Sequence, residues 1–211
     1  MGDTNFRDTL PLLYNKYKDR DPSKKPIKLP EIRELIKQLF RWESIPDLEA
    51  DDVISMYQFK GHLDKSYIVC TEDKDAKQTP GYMFNPKTKE IRCCNGYGAI
   101  DLIVKVSASG TKTYKIDGQG RAFFYYQVIC GDPVDTYTPF KPAKTPYRFF
   151  NEFKEIKTDK EAWQYVLDTY FNYFGTITEY TDYTGKIHKG NYLDILQTYC
   201  DVVHMKRWLR R

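Results

Sequence analysis

Seven carboxylates of the sequence fall in three short clusters, and each cluster lies where a helix or strand is predicted to begin or end. Acids gathered in one pocket repel one another and hold protons more tightly unless cations neutralise them. Oxygen-only ligand sets suit Mg²⁺ or Mn²⁺, and the number of acids indicates two ions. The acids that predict this metal site are Glu49, Asp51, Asp52, Asp73, Asp75, Asp132 and Asp135.

The first cluster also has a purely structural explanation. The residues after Pro46 are predicted to form a helix, and acids in the first turn of a helix interact favourably with the helix dipole. Glu49 and Asp52 are three residues apart, so they would project to the same side of that turn. Taken alone, this cluster is more typical of helix capping than of catalysis.

Two further segments are expected to bring the other acids to the same place. Residues 66–71 form a short apolar run typical of a buried parallel strand, and the Asp73–Asp75 cluster follows its carboxyl end. Ligand sites of open α/β sheets lie outside such ends. Residues 123–130 form a dense apolar run whose periodicity does not distinguish helix from strand. We interpret that run as a buried helix that delivers Asp132 and Asp135 to the pocket.

The rest of the chain is predicted to alternate short strands with helices. An amphipathic helix is expected from Pro30 to about Trp42, because apolar residues recur there at helical spacing. Turn-rich sequence then favours three short strands, at residues 90–94, 99–106 and 113–116. The remaining predictions are a helix over residues 160–174, a hairpin around residues 182–185 and a last helix over residues 192–209.

Composition indicates a packed protein with reduced cysteines. With 211 residues, 41% of them hydrophobic and 16% aromatic, the chain can bury one good core or one domain with an appended lobe, and a disordered chain is excluded. The five cysteines include no Cys-x-x-Cys pair, which argues against zinc, and Cys70, Cys130 and Cys200 stand inside apolar stretches. We therefore expect reduced core residues and no disulfide framework. Because no apolar run is long enough to span a bilayer and no leader is recognisable, we expect a soluble, cytoplasmic protein.

The positive charge of the chain is concentrated at its start. Residues 1–41 hold ten Lys and Arg against six acids, whereas the remaining residues balance at 23 against 23. A basic segment beside a carboxylate pocket is what a phosphodiester substrate requires, since the cations hold the polyanion. The alternative is an ordinary solvated basic stretch.

Taken together and in order, several motifs resemble those of the bacteriophage 5′→3′ exonuclease and flap endonuclease family. The resemblance extends from the first residues to about Tyr137. It is carried by Asn5-Phe6-Arg7, by Tyr17-Lys18 with Arg20, by residues 49–54 (Glu-Ala-Asp-Asp-Val-Ile), by residues 71–75 (Thr-Glu-Asp-Lys-Asp) with Gln78, Pro80 and Gly81, and by residues 127–135 (Gln-Val-Ile-Cys-Gly-Asp-Pro-Val-Asp).

The resemblance implies a PIN-like α/β fold with a mostly parallel sheet, and an acidic pocket that holds two Mg²⁺ ions. It implies DNA cleavage near 5′ ends, flaps or branches, with one metal group at Glu49, Asp51, Asp52 and Asp73 and a second at Asp75, Asp132 and Asp135. Lys18 and Arg20 match the catalytic cations of the family's helical arch. They also belong to an implied DNA-binding set of Arg7, Lys16, Lys18 and Arg20.

The chain departs from the family's pattern in three places. Family members begin with a strand that bears a metal-binding Asp, whereas this sequence starts almost on the Asn-Phe-Arg segment. The spacing of Tyr17-Lys18 and Arg20 is one residue shorter than the family's usual Tyr-Lys-x-x-Arg, so the match at Arg20 is inexact. Residues 136–142 replace a glycine-rich turn whose backbone amides approach phosphate closely in the family.

These departures lead to a specific set of expectations. We expect an incomplete nuclease core over residues 1–135, with residues 1–29 as the basic arch-like segment, followed by a mainly helical lobe over residues 136–211 that is a candidate DNA-binding unit. The leading interpretation is a Mg²⁺-dependent 5′ nuclease, in this form the larger piece of a split enzyme completed by a separate N-terminal fragment, or a truncated one. The alternative is a catalytically silent remnant that binds branched DNA, and a PIN-type ribonuclease is a third, weaker interpretation.

Overall fold

The structure is a computed structural model that describes Leu10 and residues 22–46, 48–131, 139–140, 149–181 and 185–204. Within these residues the chain is a mixed α/β protein with six α-helices and three small sheets. The helices are α1 (Leu29–Leu39), α2 (Ala50–Asp64), α3 (Gly120–Cys130), α4 (Phe150–Phe153), α5 (Asp159–Phe174) and α6 (Tyr192–Val203). The strands are β1 (Val69–Cys70), β2 (Gly81–Asn85), β3 (Glu90–Cys94), β4 (Ala99–Val106), β5 (Lys112–Gln119), β6 (Thr178–Thr181) and β7 (Ile187–Gly190).

The sheets are small and mixed, so the predicted mostly parallel sheet is wrong for the described residues. Only β1 and β2 run parallel, over two residue pairs, whereas β2 pairs antiparallel with β3, and β4–β5 and β6–β7 are antiparallel hairpins. The turn after β2 explains this pairing, because the N–H of Lys89 donates to the carbonyl of Asn85 at 2.9 Å and reverses the chain. Strands joined by so short a turn pair antiparallel.

A large apolar core joins α3, α5 and α6, and it confirms the prediction of a buried helix at residues 123–130. Its members come from both sides of residue 135, where the sequence places a domain boundary; that division stays a prediction. Tyr170 on α5 is fully buried and donates its hydroxyl to the carbonyl of Val128 at 2.7 Å, which ties α5 to α3. The fully or nearly buried members include Val128, Ile129, Phe153, Ala162, Val166, Tyr170 and Leu196.

A second, smaller core lies under α2 and the β1–β3 sheet. Its buried apolar residues are Val69, Ala76, Met83 and Cys94, with Ile54 and Tyr57 of α2 packed against them. This core contains few apolar side chains, and the same region buries several polar ones. The α2 helix therefore depends on polar contacts as well as apolar burial to keep its place.

The amphipathic helix α1 forms where the periodicity predicts it, yet its apolar face is largely exposed. None of its residues is buried, and Ile32, Leu35 and Leu39 are 48%, 53% and 66% exposed. Within the described ranges, no helix has both the length and the apolar character needed to cross a membrane. Periodicity thus predicted the helix correctly but not its burial.

All five cysteines are free thiols, as their number and spacing predict. Cys94 is buried in the small core, whereas Cys70 and Cys93 are exposed. The expectation that Cys70 is a core residue is therefore wrong. It follows Val69 on a strand, and consecutive strand residues point to opposite faces, so only one of the two enters the core.

Candidate acidic site

Asp51 lies at the centre of a group of acids. The residue is exposed, yet partial burial of its carboxyl raises the pKa to about 6, and repulsion from Asp73, Glu49, Asp75 and Asp52 adds to this effect. These acids come from two chain segments, one at the start of α2 and one after β1. The fold therefore brings five of the seven predicted acids into one electrostatic neighbourhood.

The start of α2 also confirms the capping explanation for part of this group. Glu49 and Asp52 form a capping box, in which the N–H of Glu49 donates to Oδ2 of Asp52 at 3.4 Å. Asp52 is only 5% exposed, so its carboxylate is held firmly at the first turn. Asp51 is not a member of this box. The first turn of α2 therefore holds both the capping pair and the acid whose pKa is raised.

A tight turn after β1 positions the second pair of acids. The N–H of Asp73 donates to Oγ1 of Thr71 at 3.1 Å, and the N–H of Asp75 donates to Oδ1 of Asp73 at 2.8 Å. Side chains of Thr and Asp often stabilise turns in this way. Asp75 then begins a short 3₁₀ helix, Asp75–Gln78, which contacts α2. The turn thus directs both acids back towards the helix that carries Asp51.

Two buried amide side chains connect this site to the large core. Nε2 of Gln127 on α3 donates to Oδ1 of Asp75 at 2.7 Å, and Nε2 of Gln78 donates to Oε1 of Gln127 at 2.5 Å. Gln127 and Gln78 are 5% and 2% exposed. The two amides fix the orientation of Asp75, because a buried amide that loses its partner is costly.

Neither glutamine was predicted to be a site residue. Gln78 and Gln127 entered the sequence argument only as parts of the motifs that carry the family resemblance. The sequence does contain a signal for Gln127, which is the one amide in the apolar run Phe-Phe-Tyr-Tyr-Gln-Val-Ile-Cys. A polar side chain on a buried helix needs a hydrogen-bond partner, so it indicates a polar contact at that position.

A second polar layer holds α2 against the chain after the 3₁₀ helix. The hydroxyls of Ser55 and Thr79 lie 2.6 Å apart, and Nε2 of Gln58 donates to the carbonyl of Thr79 at 2.8 Å. Gly81 follows at φ +130°, where a Cβ atom would lie 2.4 Å from the carbonyl oxygen of Gln58. Close packing of two backbones therefore requires glycine at this position.

The described acids do not form a ready coordination shell. Among the residues that the structure describes, no group of three His, Cys, Asp or Glu side chains could hold a metal ion. The donor chemistry still fits Mg²⁺, which retains several waters and binds proteins through one or two carboxylates. Thus the acids are close enough to raise the pKa of Asp51 without being arranged as direct ligands.

Several predicted site residues lie outside the described part of the chain. Asp132 and Asp135 follow the end of α3, one residue and four residues after Gly131. The arch-like and DNA-binding set is likewise not described: Arg7, Lys16, Lys18 and Arg20. Their roles remain predictions.

A cavity of about 340 Å³ lies elsewhere, between α4 and α5. It is lined mainly by aromatic and polar side chains, and none of the predicted acids contributes to it. Its two acids already accept hydrogen bonds, Glu152 from Tyr165 and Asp168 from Gln164. The acidic site is therefore a surface feature separate from this cavity.

Comparison with known proteins adds no relative. No family model, no curated protein and no solved structure matches the chain. The acidic site and the ordered motifs are therefore the basis for any assignment of function.

Proposed function

We propose that the chain is a Mg²⁺-dependent nuclease with a PIN-like core that hydrolyses DNA phosphodiesters at 5′ ends, flaps or branches. The observation that carries the proposal is the meeting of five acids from two separate chain segments, where burial first and repulsion from the other four acids second raise the pKa of Asp51. A protein gathers mutually repelling carboxylates where a cation is to be bound. The ordered motifs support a nuclease over other Mg²⁺ enzymes.

The acids would act as two groups around two ions. Glu49, Asp51, Asp52 and Asp73 would bind the first ion, and Asp75 with Asp132 and Asp135 would bind the second. When bound, such ions activate water and stabilise the leaving oxygen of a phosphodiester. Gln127 would keep Asp75 in its ligating orientation, as hydrogen-bond partners of metal ligands generally do.

The basic beginning of the chain would hold the DNA. Within the described part of this segment, Lys24, Lys25, Arg33 and Arg41 are exposed. Lys18 and Arg20 would steady the scissile phosphate. This distribution places cations next to an acidic site in sequence, which is the arrangement that a polyanionic substrate requires.

Cleavage of a 5′-labelled flap duplex tests the proposal. The reactions contain Mg²⁺ or EDTA, with the wild type, Asp73→Asn and the matched control Glu72→Gln, whose exposed carboxyl is adjacent in sequence but is not among the main contributors to the raised pKa of Asp51. We expect Mg²⁺-dependent cleavage that falls by about 10²–10³-fold in Asp73→Asn, the range seen when one electrostatic stabiliser of a transition state is removed. Glu72→Gln should cleave like the wild type.

The silent DNA-binding protein is the second candidate, and the lack of three ligating acids among the described residues favours it. It predicts no cleavage, together with duplex binding that survives Asp73→Asn or becomes tighter as repulsion of phosphate decreases. A further reaction contains a separate N-terminal segment of a family member. Cleavage in that reaction alone would indicate a split enzyme. If neither cleavage nor DNA binding occurs under any of these conditions, both candidates are wrong.

A further inference from the structure

The β4–β5 hairpin extends beyond the core that supports its base. The two strands pair over eight residue pairs, from Ala99–Gln119 to Val106–Lys112. At the base Ile100 is buried, and Gly118 lies close to the ring of Phe123 on α3. Further out the side chains emerge into solvent, including those of Val104 and Val106, which are 46% and 61% exposed. We call residues 103–106 and 112–115 the distal ribbon.

The distal ribbon is basic, whereas the acids of the hairpin lie at its base. It contains Lys105, Lys112 and Lys115 and no Asp or Glu. Asp101 and Asp117 lie opposite each other in the strand register, near the core. All three lysines are exposed. None of them forms an ion pair with another residue in the described ranges. Their charge is therefore available to an anionic partner.

The strand register separates these lysines onto two faces. Lys115 lies opposite Ile103 and Lys105 opposite Thr113, so both share the face that carries Asp117. Lys112 lies opposite Val106, on the other face. As diagonal neighbours, Lys105 and Lys115 are about 7–8 Å apart. One strand of duplex DNA carries about two phosphates over that length.

The face with Lys105 and Lys115 is linked to the acidic region through Asp117. Nζ of Lys77 lies 2.6 and 2.7 Å from the two carboxylate oxygens of Asp117, and both side chains are mostly buried. Lys77 belongs to the 3₁₀ helix that begins at Asp75. This ion pair therefore connects the base of the hairpin to the 3₁₀ helix that contains Asp75, a predicted metal ligand. That base is fixed relative to the acids.

We infer that the distal ribbon binds the backbone of duplex DNA, with Lys105 and Lys115 contacting phosphates beside the bond that the acidic site cuts. This inference rests on the proposed function and names the part of the substrate that the ribbon holds. The major groove of DNA admits a two-stranded ribbon, and Ile103, on the same face as the two lysines, would lie against the sugars. Along β5, Lys115 is two residues from Asp117, and Lys105 on β4 is level with Thr113, four residues from Asp117. These separations correspond to about 7 and 14 Å at 3.4 Å per residue.

Duplex binding without metal tests this inference. Fluorescence anisotropy follows a labelled flap duplex in EDTA at several KCl concentrations, so that no cleavage is required. Lys115→Ala and Lys112→Ala form a matched pair, since each removes one exposed charge from β5 but from opposite faces. We expect Lys105→Ala with Lys115→Ala to weaken binding and to reduce the slope of log K against log salt by about 1.8, at 0.9 per phosphate contact. Lys112→Ala should leave the slope unchanged.

Three results with the labelled flap duplex would overturn the inference. They are a double variant whose slope equals that of the wild type, a Lys112→Ala effect as large as that of Lys115→Ala, and a wild type that does not bind duplex. Equal weakening on single-stranded DNA would also contradict a duplex contact. A urea unfolding curve of each variant verifies folding, which these exposed positions should not affect.

The two proposals fail in different ways. Ribbon-dependent duplex binding without any Mg²⁺-dependent cleavage would remove the proposed nuclease and keep the ribbon contact. Cleavage that depends on Asp73, with binding indifferent to Lys105 and Lys115, would keep the nuclease and remove the ribbon contact.

Discussion

The two cores of this protein are stabilised by different interactions. The large core of α3, α5 and α6 consists almost entirely of apolar and aromatic side chains, among them Tyr170 and Phe153. Among the described residues, the small core beneath the acids buries four apolar side chains, together with polar ones such as Gln58 and Thr79. The acidic site thus depends on directed hydrogen bonds, whereas the large core depends on buried apolar area.

Gln127 is where the two regions meet. It lies on α3 among apolar residues of the large core, and its amide bonds to Asp75 and Gln78 of the acidic region. A mutation confined to the large core should therefore change mainly the stability of the protein. A mutation of Gln127 should change both the stability and the acidic site.

Tyr170→Ala in the large core should produce the largest effect. Because Tyr170 is fully buried, removing its ring should lower the free energy of unfolding by about 3–5 kcal/mol. Tyr170→Phe retains the ring and loses only the hydroxyl bond to Val128, so about 1–2 kcal/mol is expected. Urea denaturation measures both. Equal losses for the two variants would show that apolar burial does not dominate this core.

Gln127→Leu should have an intermediate effect and should weaken the acidic site. It leaves Gln78 and Asp75 without their bonds to this amide, at a cost of about 1–3 kcal/mol, and the Mg²⁺ concentration needed for half-maximal cleavage should rise. Gln197→Leu is the matched control, since Nε2 of Gln197 donates to Asp201 at 2.9 Å on the exposed surface of α6. A Gln127→Leu protein with unchanged stability and Mg²⁺ dependence would remove the proposed junction.

Asp51→Asn should have the smallest effect and the opposite sign. The pKa of Asp51 is about 6 against an ordinary 3.8, so the folded protein binds this proton more tightly than the unfolded chain. The wild type therefore loses stability as the pH rises from about 4 to 6. Above that window the variant should be more stable, by about 1 kcal/mol after solvent screening.

Unfolding measured at pH 4 and pH 8 without metal verifies this sign. The difference between variant and wild type should vanish at the lower pH and be full at the higher one, while the exposed Asp101→Asn on β4 serves as control. Adding Mg²⁺ should stabilise the wild type more than the variant, because only a state that binds the ion gains from it. A variant that is less stable at pH 8 would contradict mutual repulsion among the acids.

Much of the fold could be predicted because its signals are local. The periodicity of α1 and α5, the acids at the start of α2 and the alternation in β4 each lie within one segment. The strand β2 was missed, since Gly-Tyr-Met-Phe-Asn contains no β-branched residue and begins with glycine. The parallel sheet was wrong because strand direction is set by the turns and partners, not by the strand's own residues.

The candidate site divides in the same way. Sequence alone identified the acids, the capping role of Glu49 and Asp52, and the amphipathic character of α1, since each depends on residue types a few positions apart. Only the tertiary structure decided that Asp73 and Asp75 meet Asp51, that Gln127 bonds to an acid 52 residues away, and that the apolar face of α1 is exposed. Charge repulsion and hydrogen bonding depend on distance in space, and folding alone sets that distance for residues far apart in the chain.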